Sequence, residues 1–356
     1  MISWHENTIP DFAEAELERL YQSIFSSMAM LRIYDSSAQI STYVARKGPR
    51  VIALLLCRRD HGRLSVCNEV VQLAPQEISR FSQYIFQRFP ATSAITFRAL
   101  ECAPLSLPFP SQRFNALEDI VLRLPGSVED YLSRLGKSTR ATIRGYMNRL
   151  LRAFPSYRCE ISEAQAICEQ DVRSIIGLHL QRMAQKNRVT TLDADEINRI
   201  IQLSQDCGLV GTIVLDDKIC AGFISYRMGA HYFMNICAHD PHYEQYRLGT
   251  LSGFINISEC IRRGGQECHL LWGQHDYKYR FLGEQRDLDN LTIYRSVIAM
   301  LKNFGLVARM SREGCWRFVH VQLRKLRHRS GTLWQTMHRQ GTKNMQQLKR
   351  FFHHAD

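Results

Sequence analysis

The residues whose types and spacing suggest chemistry lie in the run His239–Leu251, HDPHYEQYRLGTL. This run is too polar and broken for a strand. It leads straight into apolar residues at helical spacing: Leu251, Phe254, Ile255, Ile257 and Ile261. A chain that turns at Gly249 and enters a helix aims free backbone N–H groups at one point, and the helix dipole adds partial positive charge there. An anion, above all a pyrophosphate, suits such a corner. Gly249 permits close approach to the backbone, and Arg247 adds a full charge. The same two residues also suit an ordinary turn with a solvated arginine, so the surrounding elements decide.

Those elements form a recognisable order. Val210–Leu215 is a β-branched strand, and Asp216-Asp217 is a turn pair. Ile219–Met228 and Tyr232–Ala238 follow as two more strands, separated by Gly229-Ala230. After the corner comes the helix, ended by Gly264-Gly265. Cys268–Trp272 is then a short buried strand. Two helices precede the meander. Residues 171–186 place Val172, Ile175, Ile176, His179 and Met183 on one face, and residues 193–207 open with Asp193 and Glu196 in a capping box.

The first part of the chain repeats the pattern. A helix is expected over residues 12–31. Ile40–Arg46, Val51–Arg58 and Leu64–Leu73 read as strands, Ile78 to Phe89 as a helix, and Ala94–Ala99 as a strand. Two copies of one unit predict a tandem arrangement. In the first copy the corner reads Gln72-Leu73-Ala74-Pro75. Proline removes an N–H there, so this copy is expected to bind no cofactor and to serve as scaffold or substrate wall. Residues 102–115, with Pro104, Pro108 and Pro110, read as a stiff connection. Ala116–Leu124 is a strand, and Ser127 caps the next helix. From Tyr131 to Arg158 there are seven Lys/Arg and no acid, so a helix with an apolar stripe there carries Lys137, Arg140 and Arg144 on another face. That face suits an anion, and equally a solvated surface. Leu291–Tyr294 reads as a strand and Val297–Phe304 as a helix. The tail 312–356 holds ten Lys/Arg against two acids, with Trp316, Trp334, Phe351 and Phe352 among them.

The 356 residues allow two domains, and the net charge of +12 favours anionic partners. No apolar run is long enough to span a bilayer. The N-terminus lacks a basic start followed by an apolar core, so a cytoplasmic location is expected. The eleven cysteines show no metal-like spacing and His353-His354 has no cysteine nearby, so no metal is expected.

Asp240, Pro241, Tyr243, Tyr246 and Gly249, followed by Gly273, Tyr277, Lys278, Arg280, Phe281 and Gly283, resemble the acetyltransferases of the cellulose-biosynthesis type. These belong to the GCN5-related N-acetyltransferase (GNAT) superfamily and are related to the FemAB aminoacyl transferases. The resemblance spans roughly residues 125–295. It departs from the family where His269 stands for an aspartate before Gly273, and where the loop keeps one glycine followed by Thr250 and Leu251.

The resemblance implies an α/β (α+β) fold of tandem GNAT-like domains, each a mixed, mostly antiparallel sheet flanked by helices. Residues 1–125 would form the non-catalytic copy, 126–310 the catalytic domain and 311–356 a basic helical tail. It implies acyl transfer from acetyl-CoA or a longer acyl-CoA to an amine or hydroxyl of a small molecule, sugar, polysaccharide or lipid precursor. Tyr246, Arg247, Leu248, Gly249, Thr250 and Leu251 would hold the CoA pyrophosphate. His269 is the expected base, Asp240 the alternative base or orienter, and Tyr277 the acid for the thiolate. Lys137, Arg140, Arg144, His179, Arg182, Lys278 and Arg280 are the expected contacts to an anionic acceptor. The tail would touch a membrane surface or RNA, or pack on the core. Two alternatives stand beside this reading: aminoacyl-tRNA-dependent transfer, and a non-catalytic accessory protein in exopolysaccharide biosynthesis.

Overall fold

The structure is a computed structural model that describes residues 1–34, 39–187, 190 and 192–329, with side chains in the last helix described to Leu323. The first half contains β1 (Ile2–His5), α1 (Ala13–Tyr21), α2 (Met28–Tyr34), β2 (Ser41–Lys47), β3 (Arg50–Asp60), β4 (Arg63–Val66), β5 (Val71–Gln72), α3 (Pro75–Arg88), β6 (Ala94–Glu101) and β7 (Ser111–Arg123). The second half opens with α4 (Val128–Arg134), α5 (Lys137–Ala153), β8 (Arg158–Glu163), α6 (Glu169–Gln185) and α7 (Ala194–Cys207). It continues with β9 (Gly208–Leu215), β10 (Lys218–Met228), β11 (His231–His239), α8 (Leu248–Arg262), β12 (Glu267–Trp272), α9 (Asp276–Arg280), β13 (Glu284–Tyr294), α10 (Val297–Lys302) and α11 (Phe304–Arg329).

All strands join one sheet in the order β1-β2-β3-β4-β6-β13-β7-β12-β11-β10-β9-β8, with β5 beside β6. The two halves mirror each other: an antiparallel meander, a helix, then a strand that pairs in parallel. Those parallel pairings are short, three rungs between β4 and β6 and three between β11 and β12. The halves also exchange strands. β13 of the second half lies between β6 and β7, and β7 of the first half pairs with β12.

Local chemistry accounts for the meander. Asp216 and Asp217 both adopt left-handed φ, 47° and 61°, which a two-residue hairpin of matching twist requires. Gly222 lies under α6, where a Cβ would come within 2.6 Å of Ile175. The second-half sheet carries a core on each face. One, with Phe223, Tyr232, Met234 and Leu270, is closed by α4, α5 and α8. The other, with Ile224, Tyr226, Phe233 and Ile236, is closed by α6 and α7. A third core surrounds α3 in the first half.

Three sequence expectations need correction. The helix over 12–31 breaks at Gln22, which is left-handed (φ 45°), because Ser23 and Ser26 turn to donate to the Glu69 carbonyl. The strand over 64–73 stops at Val66. Val70 takes a left-handed φ of 53° and buried Asn68 accepts from Leu56 N, which ends pairing until β5. The connection over 102–115 is short, since β7 already begins at Ser111, opposite Ile293. Beyond β13, α11 seats Leu306 and Met310 against Ala94 and Tyr294, and Arg317 pairs with Glu118. The rest of the expected basic tail, including Trp334, Phe351, Phe352 and His353-His354, lies outside the described residues. No helix among the described residues is long and apolar enough to cross a membrane.

Candidate active site at the splayed strands

β11 and β12 pair only through His231–Glu267, Tyr232–Cys268 and Phe233–His269. Past that rung β11 bulges against β10, between Ile224 and Ser225. β12 also shifts register against β7, after His269. The strands therefore diverge into a V. Unpaired backbone on the two inner edges can accept amide hydrogen bonds from an extended ligand. α8 starts beside the open end, where Cys237 Sγ lies 3.6 Å from the Gly249 carbonyl.

The corner is built as a short 3-10 turn, Pro241–Tyr246, followed by left-handed Arg247 (φ 52°). Asp240 caps the turn. Its carboxylate accepts from Lys218 Nζ (2.8 Å), His242 N (3.0 Å) and the His242 ring (2.7 Å). Burial alone would raise its pKa, but the bonds from Lys218 and His242 outweigh this and hold it at about 2. Asp240 is therefore ionised at ordinary pH with both oxygens engaged by Lys218 and His242, an arrangement that suits an orienter of the corner better than a base.

Thr250 N and Leu251 N bond to the Arg247 carbonyl. Among the described residues, neither Leu248 N–H nor Gly249 N–H has an acceptor, as expected for a first helical turn. Two arginines flank it. Arg247 is exposed, 3.6 Å from Glu244. Arg149 of α5 donates to the Gln245 carbonyl at 3.3 Å and lies 5.3 Å from the centre of the Tyr246 ring. Tyr246 itself packs edge-on against Phe154. Packing gives a further reason for glycine at 249. A Cβ there would meet His239 Nδ1 at 2.6 Å, so the missing side chain makes room for that ring.

His239 ends β11, and its Nδ1 is buried with no partner. Burial, then the nearby Arg182, lowers its pKa to about 4, so the ring is neutral at ordinary pH. Burial likewise raises Tyr277 to about 12, with Cys237 and Arg182 as its charged or ionisable neighbours. Cys237 and His239 thus lie beside Gly249 at the start of α8, with Arg182 and Tyr277 near enough to act on them electrostatically. His179 lies one turn before Arg182 and has its pKa lowered by burial and by that arginine.

Other expected residues lie elsewhere. His269 occupies the last paired rung, at the closed end of the V, 6% exposed. Its Nδ1 contacts Asp119 Oδ2 at 2.6 Å, its ring stacks on Phe233, and its Nε2 is buried without a hydrogen-bond partner, 3.6 Å from Glu267 Oε2. It thus lies among Asp119, Glu267 and Phe233 at the closed end, away from the corner that begins at Asp240. Lys278 is buried and donates to the Leu271 and Trp272 carbonyls at 2.9 and 2.6 Å. It holds the end of β12, where Leu271 is left-handed (φ 57°), and is not free for an acceptor. Arg280 is exposed on α9. Lys137, Arg140 and Arg144 lie on α5, which packs with α8 on the face of the sheet opposite α6. Arg149, on that same helix, is the residue that reaches the corner.

In the first half the three-rung splay between β4 and β6 is partly closed by β5, which pairs with Leu100 and Glu101. A cavity of about 310 Å³ lies there, lined by Tyr34, Arg58, Asn68, Glu69 and Arg98 among others. Phe25 also lines it and, on its other side, touches Phe233 and Trp272 of the second half.

The family model described as acetyltransferase (GNAT) domain matches residues 137–279. Among solved structures the chain is similar to FemX, with a TM-score of 0.60 and 7% identity over 81% of this chain and 96% of that one. It is similar to a conserved protein of unknown function from Bacteroides thetaiotaomicron, with a TM-score of 0.54 and 11% identity over 83% and 100%. A tandem GNAT protein from the clavulanic acid biosynthesis pathway aligns at a TM-score of 0.44 and 13% identity over 82% and 98%. No curated protein matches at a significant level. The fold is α/β, with a large, mostly antiparallel sheet flanked by helices, in which the order of meander, helix and strand occurs twice and only the second occurrence lies in the residues matched by the family model.

Proposed function

We propose that the chain is an acyl-CoA-dependent acyltransferase whose second half binds the donor, and that within its superfamily it is of the cellulose-biosynthesis type. One observation carries the reading: two neighbouring parallel strands separate after three rungs, with the unsatisfied first turn of α8 at the open end. The pantetheine arm would lie along the inner edge of β11. The pyrophosphate would take the N–H groups of Leu248 and Gly249, with Arg149 and Arg247 supplying charge. The acceptor, an amine or hydroxyl, would enter on the α6 face past Arg182. Neutral His239 would take its proton, and Tyr277, a phenol throughout the working pH range, would give one to the leaving thiolate. His269 would act at one remove, keeping β11 and β12 paired at the base of the V. The first half would form the acceptor's wall through Phe25.

The test is titration with acetyl-CoA followed by heat and by thermal unfolding. Binding should raise the melting temperature, by the equivalent of about 2.7 kcal/mol at a hundredfold excess over Kd. Arg149→Ala and Arg247→Ala should each weaken it, more so at low salt. Release of free thiol with a panel of amines and hydroxyls should fall in His239→Ala with little change in the KM for acetyl-CoA. Absence of acetyl-CoA binding, with retention of aminoacyl-tRNA instead, would replace this reading by aminoacyl transfer.

A further inference from the structure

On the face of the sheet that carries α6, the closed end of the V holds a second group of chemistry-bearing side chains. His231 and Glu267 face each other on the first parallel rung, and His269 follows Glu267 by two residues, so all three point the same way. One donor atom from each, a nitrogen of either histidine and an oxygen of Glu267, lies within 4.8 Å of the other two. Glu267 Oε2 is 3.6 Å from His269 Nε2 and 3.8 Å from His231 Nδ1. Ligands of a tetrahedral ion with bonds of about 2.0–2.1 Å stand about 3.3–3.4 Å apart. A few tenths of an ångström of closure would bring these two pairs to that spacing.

The surroundings favour such use. His269 is 6% exposed, and its Nε2 is buried with no hydrogen-bond partner. Its other nitrogen is held by Asp119 at 2.6 Å. A carboxylate on one nitrogen fixes the tautomer and leaves the other lone pair facing the cluster, as metal-bound histidines require. A buried acceptor left unmatched costs stability unless something occupies it. One feature opposes a cation. Arg286 donates to both oxygens of Glu267, at 2.7 and 2.5 Å. A carboxylate has about four lone-pair positions, so a bidentate guanidinium leaves others open. With Asp119 and Glu267 negative and Arg286 positive, the formal charge of the group is −1 while both imidazoles are neutral.

We propose that His231, Glu267 and His269 bind a divalent first-row cation, zinc by this donor set. The ion clips β11 to β12 at the closed end of the V. It completes its shell with water on the exposed side, where His231 and Glu267 keep 18% and 16% of their side-chain surface. The site is independent of the donor-binding corner, which lies at the other end of β11.

The experiment uses the full chain, stripped with a chelator and titrated with Co²⁺ as a visible probe and Zn²⁺ by calorimetry. One equivalent of Co²⁺ should give the intense visible bands of a four-coordinate site, and Zn²⁺ should displace it. His231→Ala and Glu267→Gln should each weaken binding more than tenfold, and Asp119→Asn by about tenfold. Arg286→Gln removes the competing cation and should tighten binding, an effect that a purely structural ion pair would not produce. The controls His61→Ala and His353→Ala/His354→Ala should bind as the parent does. The proposal is overturned if the parent shows no cobalt bands, if His231→Ala binds as tightly as the parent, or if either control removes the signal. Should Glu267→Gln fail to fold, His231→Ala and Arg286→Gln still decide, since their expected shifts are of opposite sign.

Discussion

Asp240 separates a structural role from a chemical one, and Asp240→Asn tests which it plays. Its carboxyl is held at about 2, against an ordinary 3.8. The sign follows from linkage. A carboxyl depressed in the folded state contributes stability above its unfolded pKa and loses it as pH falls through the folded one. At 1.36 kcal/mol per decade the contribution at neutral pH is about 2.4 kcal/mol. Lys218, the main partner, is 63% exposed, so solvent screening reduces this to about 1–2 kcal/mol. Asparagine keeps an acceptor for His242 N but loses the charge. Urea unfolding at pH 7 should therefore show Asp240→Asn less stable by about 1–2 kcal/mol. At pH 2 the gap should shrink, because the parent's carboxyl is then partly protonated. Turnover per folded molecule should fall only mildly, through a looser corner. A loss of about a hundredfold or more in kcat with stability unchanged would make Asp240 the base and refute the argument. A stability gap that does not change with pH would refute the electrostatic part alone.

Gly249→Ala should cost about 1–3 kcal/mol by overpacking, since the new Cβ would meet the His239 ring at 2.6 Å. His239→Ala in the same chain should relieve most of it, and additive losses in thermal melts would show that the two do not touch. The His239 ring should show no NMR titration above pH 5, given a pKa lowered by burial to about 4; a midpoint near 6.5 would mean an open, solvated ring. Lys278→Met should destabilise by about 1–3 kcal/mol, because the buried Leu271 carbonyl and the partly buried Trp272 carbonyl lose their donor. It should leave the acceptor KM unchanged, and a raised KM with normal stability would restore the lysine to the acceptor site.

The tandem order of meander, helix and strand was legible because each element carries its own period or punctuation. The turn into α8 was legible too, because an arginine and a glycine two residues apart after a polar, broken run are a local signal. What was hidden depends on partners distant in sequence. Nothing local marks β7 and β13 as exchanged strands, and the 13-residue β7 read as a proline-rich connection followed by a shorter strand. The place of His269 at the closed end was hidden because the rung at which β11 and β12 separate is set by a bulge and by β7, neither of which has a period. Lys278 looked free because its acceptors are backbone carbonyls at the end of β12. Arg149 was one of seven basic residues in a run, and only the contact of α5 with the 3-10 turn singles it out. His239 had a visible cue, a histidine closing a strand directly before Asp-Pro, but its packing over Gly249 is a tertiary fact.

The exchange of strands bears on what the first half contributes to the second. β12 forms one wall of the V, and its outer edge is paired by β7 of the first half. Asp119, which steadies His269, comes from that same strand, and Phe25, which covers Phe233 and Trp272, comes from the turn before α2. Without the first half, β12 would present an open edge, a state that soluble sheets avoid, and His269 would lose the Asp119 carboxylate. The first half's own splay is partly closed by β5, and its helix begins with proline, which offers no N–H at that position, while its strand-pairing surface persists. The first half thus pairs with the second and covers it, and its cavity beside Phe25 lies one side chain from the V.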